Sequence, residues 1–397
     1  MTGNKWPMVK LGDVAPAKPI KPKDVASDSL VWQLTLDHIE SQSGKLLKKN
    51  IQAYNEAGSS VHWFDDRHVL YSKLRPYLNK VILPDQMGLG TTELVPMQPD
   101  LERLDRRYLA YYLRSKPFVD WISAQVAGAK MPRVSMKVFW DHEIPLPPLE
   151  EQKRIAAMLD KADAIRRKRQ QAIELADEFL RSVFLDMFGD PVTNPKGWDE
   201  YQLGQLLHSI DSGSSPKCDS RPANENEWAV LKLGSITSCS FIPEENKAML
   251  QETAPREDFE VKQGDLLFAR KNTKNLVAAV ALVGTCPRKL LMPDLIFRLN
   301  TKDELVNKVF LWAMMTHSGK RAQIQNLASG AAGSMPNISK ANLKTVLIPL
   351  PPLDKQEEFS DLYNAILKIK VRSASEFKQS LNLFSGSLSQ KAFAGEL

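Results

Sequence analysis

Between Leu149 and Phe188 the chain has no glycine or proline, and its apolar or small residues recur alternately three and four positions apart. Ile155, Met158, Ala162 and Ile165 are followed by Ala172, Ala176, Phe179 and Val183, with Arg169 in the one missing slot. That spacing predicts a long amphipathic helix of ~60 Å whose apolar seam packs against a partner helix. Pro145, Pro147 and Pro148 suit an extended lead-in, Glu150 and Glu151 fall where the helix dipole favours anions, and Gly189 followed by Asp190-Pro191 is a stop signal. Leu159, Ile173, Leu180 and Phe184 widen the seam.

The same design returns 204 residues later. Ten of 22 positions are identical between Met131–Gln152 and Met335–Gln356, including MPxxS (Met131, Pro132, Ser135; Met335, Pro336, Ser339) and the run IPLPPL. Phe359, Leu362, Ile366 and Ile369 continue the 3/4 spacing in the second copy. Ser373, Glu376 and Ser380 then make that seam polar, while Phe377, Leu381 and Phe384 keep an adjacent stripe apolar.

The duplication extends backwards. Trp6 and Lys10-Leu11-Gly12 match Trp198 and Gln202-Leu203-Gly204 at an offset of 192. The growing offset places about a dozen extra residues in the second unit. Val31–Leu34, Val61–Phe64 and Val69–Ser72 read as short strands, the last matched by 265–269. Arg107–Ser115 and Lys308–Thr316 read as helices, with Tyr111, Tyr112, Trp312 and Met315 expected in cores. Each is followed by a glycine loop, Gly128-Ala129-Lys130 or Gly330-Ala331-Ala332-Gly333, just before MPxxS.

The predicted fold is α+β: two globular domains, 1–146 and 191–350, each followed by a long helix, 147–190 and 351–397. If the two units pack about a pseudo-twofold axis, the helices run antiparallel.

Composition adds limits. The chain has 397 residues, 43% hydrophobic and 25% charged, as expected of globular domains. Cys218, Cys239 and Cys286 lie far apart without a CxxC pair, which argues against a disulfide scaffold or a zinc cluster and for a cytoplasmic protein. No apolar span reaches membrane length. A net charge of +6 gives only a weak lean toward a polyanion.

A search for catalytic chemistry finds none. Asn194-Pro195 is followed by Lys196, which breaks the Asn/Asp-Pro-Pro-aromatic pattern of adenine methyltransferases, and no phosphate loop or GxGxxG occurs. The six histidines lack metal-ligand spacing, so no metal is expected. Glu245-Asn246-Lys247 resembles half of a nuclease site, a triplet that a hydrated surface explains as well. No serine sits in a GxSxG elbow.

What remains is a binding architecture. Arg166-Arg167-Lys168-Arg169 covers a full helical turn near the helix midpoint, with Lys368, Lys370 and Arg372 in the corresponding place of the second helix. These clusters suit phosphates or an acidic partner, or are relieved by Asp160, Asp163, Glu174 and Asp177. A ~60 Å helix pair with a domain at each end is a ruler matching about 17 base pairs of duplex.

The repeated IPLPPLxxQ lead-in, the long helix after each copy, the ending Lys391-Ala392-Phe393-Ala394-Gly395-Glu396-Leu397 and the segment Leu70–Leu78 resemble the specificity subunits of type I restriction-modification enzymes. The resemblance covers essentially the whole chain. It implies two target recognition domains reading a split double-stranded DNA target, and an antiparallel coiled coil that sets the spacer and docks two methyltransferase subunits. S-adenosylmethionine and ATP are then expected on partner subunits, restriction (translocase/nuclease) subunits among them, with no cofactor on this chain.

Direct readout favours Arg or Lys on guanine and Asn or Gln on adenine. The candidates are Lys73, Arg75, Lys130 and Arg133 in the first domain, and Arg270, Lys271, Asn272, Lys274 and Asn337 in the second. Tyr77, beside Pro76, is expected to pack into its own domain. A self-contained nuclease and a scaffold that does not read DNA are the competing functions.

Overall fold

In a computed structural model, described for residues 6–23, 25–127, 131–330, 335–382 and 389–395, the chain forms two compact units. Side chains at 127, 373–382, 389, 390 and 392 lie outside the description, as do Lys130 and the expected polar seam at Ser373, Glu376 and Ser380. The first unit comprises 1–173 with 372–397, and the second 174–371.

Each unit is α+β and follows one plan. In the first, a four-stranded sheet has the order Asn50–Ala53, Leu30–Leu34, Gly88–Thr91, Val61–Phe64, and a three-stranded sheet the order Val81–Ile82, Val69–Ser72, Leu94–Met97. The strand Val69–Ser72 is buried along its whole length. Successive side chains on a strand point to opposite faces. Val69 and Tyr71 therefore enter a core with Tyr108, Phe118, Phe139 and Ile144, while Leu70 enters a second core with Trp32, Leu34 and Phe64. In the second unit Leu266–Ala269 does the same: Leu266 and Phe268 join one core, Leu267 and Ala269 the other. A continuous apolar run is the mark of a strand sandwiched on both faces.

The duplicated segments pair in the same register. Met8, Val9 and Lys10 lie opposite Pro145, Ile144 and Glu143, and Glu200, Tyr201 and Gln202 opposite Pro349, Ile348 and Leu347. The IPLPP run is thus half of a small ribbon that ties the start of each domain to the helix after it.

The glutamine of the same motif completes the joint. Gln152 is fully buried; its Oε1 accepts from the Asp105 N–H at 2.8 Å and its Nε2 donates to the carbonyls of Arg103 and Pro147, both at 2.8 Å. Gln356 accepts from Asn307 N–H at 2.9 Å and donates to Pro351 at 2.8 Å and Leu305 at 3.3 Å. Asp105 and Asn307 are themselves N-caps, of Arg106–Arg114 and Lys308–Thr316. One buried amide in each unit therefore fixes the long helix against the capped end of the domain's own helix.

The first long helix runs unbroken from Leu149 to Phe188, the second from Leu353 to Asn382. Within the second unit they pack antiparallel: Lys370 pairs with Asp177, while Phe359 meets Phe184 and Phe188 at ring separations of 5.6 and 5.7 Å.

The seam differs from the one the spacing predicts. Ile155, Met158, Ala162, Ala176, Val183, Phe359, Leu362 and Ile366 are buried or half-buried, but Ala172 is exposed and Ile165, Phe179 and Ile369 are 50%, 51% and 64% exposed. The buried line follows Ala156, Leu159 and Asp163, half-buried Arg166 and Ile173, then Leu180 and Phe184, and so takes in Leu159, Ile173, Leu180 and Phe184, the residues expected to widen the seam. The cause is that each half of the helix is claimed by a domain core and not only by another helix. Leu159 joins the first unit's core, and Phe184 and Phe188 the second's, which turns the contact face by about one residue.

Candidate nucleic-acid interface

In both units the central strand runs out into a basic segment held against the MPxxS loop by the same two hydrogen bonds. In the first, Arg75 N–H donates to the Pro132 carbonyl at 2.8 Å and Val134 N–H to the Lys73 carbonyl at 3.0 Å, with Leu74 opposite Arg133. In the second, Asn272 N–H donates to Pro336 at 3.3 Å and Ile338 N–H to Arg270 at 2.8 Å, with Lys271 opposite Asn337. One scaffold thus presents different side chains at matched places: Lys73, Leu74, Arg75 and Arg133 against Arg270, Lys271, Asn272 and Asn337.

The first cluster is fixed by a carboxylate. Arg133 forks onto Glu93, with Nε at 3.1 and 3.2 Å from the two oxygens and its terminal nitrogen at 2.9 Å, and this pair holds the Arg133 pKa above its ordinary value. Lys73 N–H donates to the Glu93 carbonyl at 3.0 Å. Arg75 is exposed and left-handed, with φ +50°. Burial, and secondarily the nearby Lys73 ammonium, lower the pKa of His62, which keeps that ring neutral. Lys73, Arg75 and Arg133 bring three positive charges to this segment and Glu93 one negative charge, so the cluster is positive. Tyr77 is 46% exposed and not packed into its domain, because Pro76, the buried residue of the turn, takes the interior place.

In the second cluster Arg270 Nε donates to the Asp294 carbonyl at 2.7 Å, and the guanidinium lies 5.4 Å from the Phe297 ring centre. Arg270 is therefore oriented from within its own domain. Lys274 is exposed and Lys271 half-buried. Asn272 is 6% exposed, and its Oδ1 accepts from the Thr273 N–H. Asn337 exchanges backbone hydrogen bonds with Ser329 at 2.9 and 3.0 Å, and its Oδ1 is buried without a protein partner. Lys130 falls outside the described residues.

The acidic partners escaped the sequence reading. Glu93 immediately precedes the strand Leu94–Met97, and Asp294 sits one residue before the place that matches Glu93 in the second unit. Carrying the repeat into these strands would have exposed them.

The helical basic cluster is largely self-contained. Asp163, 6% exposed, receives Arg166 at 2.8 Å and Arg167 at 2.7 Å. Among the described residues no group of three or more His, Cys, Asp or Glu is placed to hold a metal ion, and no helix is long and apolar enough to cross a membrane.

Two copies of one domain-plus-helix plan, each offering a small basic cluster with its own side chains at the same place, define a duplicated recognition protein. The pattern of the type I restriction modification DNA specificity domain matches residues 4–175 and again 195–379, and the chain belongs to that family. The EcoEI specificity subunit of Escherichia coli is 22% identical over 95% of this chain and 81% of its own. The MjaVIII specificity subunit of Methanocaldococcus jannaschii is 23% identical over 70% of this chain and 67% of its own. Among solved structures, the type I S subunit from M. genitalium superposes with a TM-score of 0.56 at 13% identity, covering 99% of this chain and 97% of that one. A chain from a type I restriction-modification assembly superposes with a TM-score of 0.56 at 20% identity, covering 99% and 98%. At these identities the superpositions show the fold.

Proposed function

We propose that the chain is the non-catalytic sequence-reading subunit of a type I restriction-modification complex in the cytoplasm. Each unit reads one half of an asymmetric, bipartite duplex target through the clusters at 73–75 with 133 and at 270–274 with 337. The long helices set the gap between the halves and dock two adenine methyltransferase subunits. Those partners carry S-adenosylmethionine, and restriction subunits, where present, use ATP.

The observation that carries this reading is the doubly repeated backbone clamp between strand exit and MPxxS loop. A clamp made of main chain holds position whatever side chains it displays, so two copies can present unlike ones. Unlike side chains at matched places call for two unlike half-sites. Phosphate contacts supply affinity and base contacts supply sequence, so binding should be salt-sensitive as well as selective.

The test is selection of bound duplexes from a randomised pool by the chain with its cognate methyltransferase. A split motif of two unrelated short halves is the expected outcome. Return of no motif supports a scaffold that does not read DNA, and metal-dependent cutting by the purified chain alone supports a nuclease; either overturns the proposal.

A further inference from the structure

The first unit contains a cavity of about 660 Å³ between the Pro76–Leu78 turn, the helix Lys116–Ser123 and the long helix. Its wall includes Arg114, Arg166, Asn79, Ser123, Tyr77 and Tyr111. Arg114 also lines a neighbouring cavity of about 590 Å³ with Arg167, Asp160 and Asp163.

Among the described residues the Arg114 guanidinium has no hydrogen bond and no ion pair, and its Nε is buried. Its guanidinium carbon lies 5.8 Å from the Tyr111 ring centre, a buried Nε without an acceptor is costly, and burial pulls the Arg114 pKa down. Among the described residues no carboxylate pairs with it. Both oxygens of Asp163 are taken, one by Arg166 and one by Arg167. Asp160 receives Arg107 at 3.0 Å and the Tyr111 hydroxyl at 2.7 Å. Asp120 pairs with Lys116 at 2.6 Å, Asp85 with Lys49 at 2.8 Å, and Glu40 accepts from Ser43. With Asp160, Asp120 and Asp85 each paired to a cation of its own, Arg114, Arg166 and Arg167 stand against Asp163 and Glu40 among the described residues, three charges to two.

Two further polar atoms at this wall lack partners: the Asn79 Oδ1 and the Ser123 Oγ, both buried. Asn79 is 8% exposed, and its amide nitrogen donates to the Arg114 carbonyl at 3.1 Å. A hydroxyl donor beside two guanidiniums, with tyrosine and leucine completing the wall, matches a phosphate carried on a small organic body. The volume lies within the range of small-molecule sites, about 300–1,000 Å³.

The shared plan does not require this feature. The position matching Arg114 is Thr316, whose hydroxyl donates back to the Trp312 carbonyl at 2.8 Å and leaves no charge to neutralise. The cavity at the matching place is lined by Trp312, Phe184, Leu180 and Leu185 together with Asp177 and Arg181, one charge of each sign.

We propose that the Arg114 cavity binds a phosphate-bearing small molecule of nucleotide size. This is independent of how the chain reads DNA. Tyr77 and Asn79 border both the cavity and the turn that follows Arg75, so an occupant would brace the recognition loop from behind.

Isothermal titration of the full chain with pyrophosphate and, separately, with ATP tests this. Saturable one-to-one binding is expected with at least one probe, weakened at least tenfold by Arg114→Met and unchanged by Lys262→Ala, an exposed lysine of the second unit. Ser123→Asp, which puts a carboxylate in the cavity and keeps Arg114, should weaken it to a similar degree and covers the case in which Arg114→Met fails to fold. No saturable binding of either probe at 5 mM, or equal binding by both cavity variants, overturns the proposal. A duplex that displaces the bound probe from the wild type, with Arg114→Met losing as much affinity for duplex as for the probe, assigns the cavity to a DNA backbone phosphate and also overturns it.

Discussion

At the scale of single residues the buried amides are the most consequential. Gln152 and Gln356 each satisfy three backbone groups, one through a buried and two through partly buried hydrogen bonds, and leucine at either place would fill the volume while removing those bonds. Each unpaired buried group costs about 1–3 kcal/mol. Gln152→Leu should therefore destabilise the first unit by about 2–4 kcal/mol and Gln356→Leu the second by a similar amount, measured by urea unfolding; an effect under about 0.5 kcal/mol would refute the clamp. His142 gives a pH-dependent counterpart. Its ring lies 3.9 Å from the Trp121 ring centre, its Nε2 is 2.9 Å from the Tyr112 hydroxyl, and burial pushes its pKa down to about 4. In the unfolded chain a histidine titrates near about 6.5, so between these values the unfolded state holds more protons and stability falls as pH falls. Above about 6.5 the contribution is constant, and below about 4 the loss is complete. After allowing for the ring's partial contact with water, the loss is about 1–2 kcal/mol, and His142→Gln should remove that part of the pH dependence. A profile from pH 7 to 4 that is the same in variant and wild type would exclude this role.

At the scale of elements, the helices show what a 3/4 pattern can and cannot say. Leu149–Phe188 was legible because nothing in it breaks a helix and its lead-in and stop are explicit. The contact face was legible only in part: Leu159, Ile173, Leu180 and Phe184 stand out beside the seam, but their stripe also carries Asp163, Arg166, Gln170 and Asp177, so spacing favours the other one. Aromatic cores contributed from distant sequence decide it, Phe310 and Phe359 against Phe184 and Phe188. Leu180→Ala should accordingly cost about 2–4 kcal/mol, whereas Phe179→Ser, one residue along, should stay within about 0.5 kcal/mol in the isolated chain. Thermal unfolding of the two variants side by side checks this, and a larger loss from Phe179→Ser would restore the stripe the spacing predicts. The strands Val69–Ser72 and Leu266–Ala269 were legible as a matched pair because each is apolar throughout. Their neighbours in the same sheets, Val81–Ile82 and Leu94–Met97 in the first unit and Val280–Leu282 and Ile296–Thr301 in the second, all antiparallel to them, left no comparable signature.

At the scale of the whole molecule, the duplication was the most readable feature, because invariant spacing survives where individual residues diverge. It matched the strands that lead to Arg75 and Arg270 and the loops that carry Arg133 and Asn337, but not the hydrogen bonds that hold the two together. It did not reveal Glu93, Asp294 or Arg114, whose roles depend on groups brought together by folding and, for Arg114, on a feature that only one copy has. The compact units also cut across the expected boundaries, since the first contains residues from both ends of the chain.

That last arrangement bears on how the protein is made. Phe393 is 8% exposed in the core of the first unit, 5.2 Å from the Tyr108 ring and 5.1 Å from Tyr112. Residues up to Ile173 leave the ribosome 220 positions ahead of it (393 − 173), which at roughly 5–20 residues per second is a wait of about 10–45 s. The second unit is continuous in sequence and can close during that interval. The first-synthesised part of the molecule is therefore the last to be finished, and its unfilled aromatic pocket is the surface that a nascent chain must keep from aggregating.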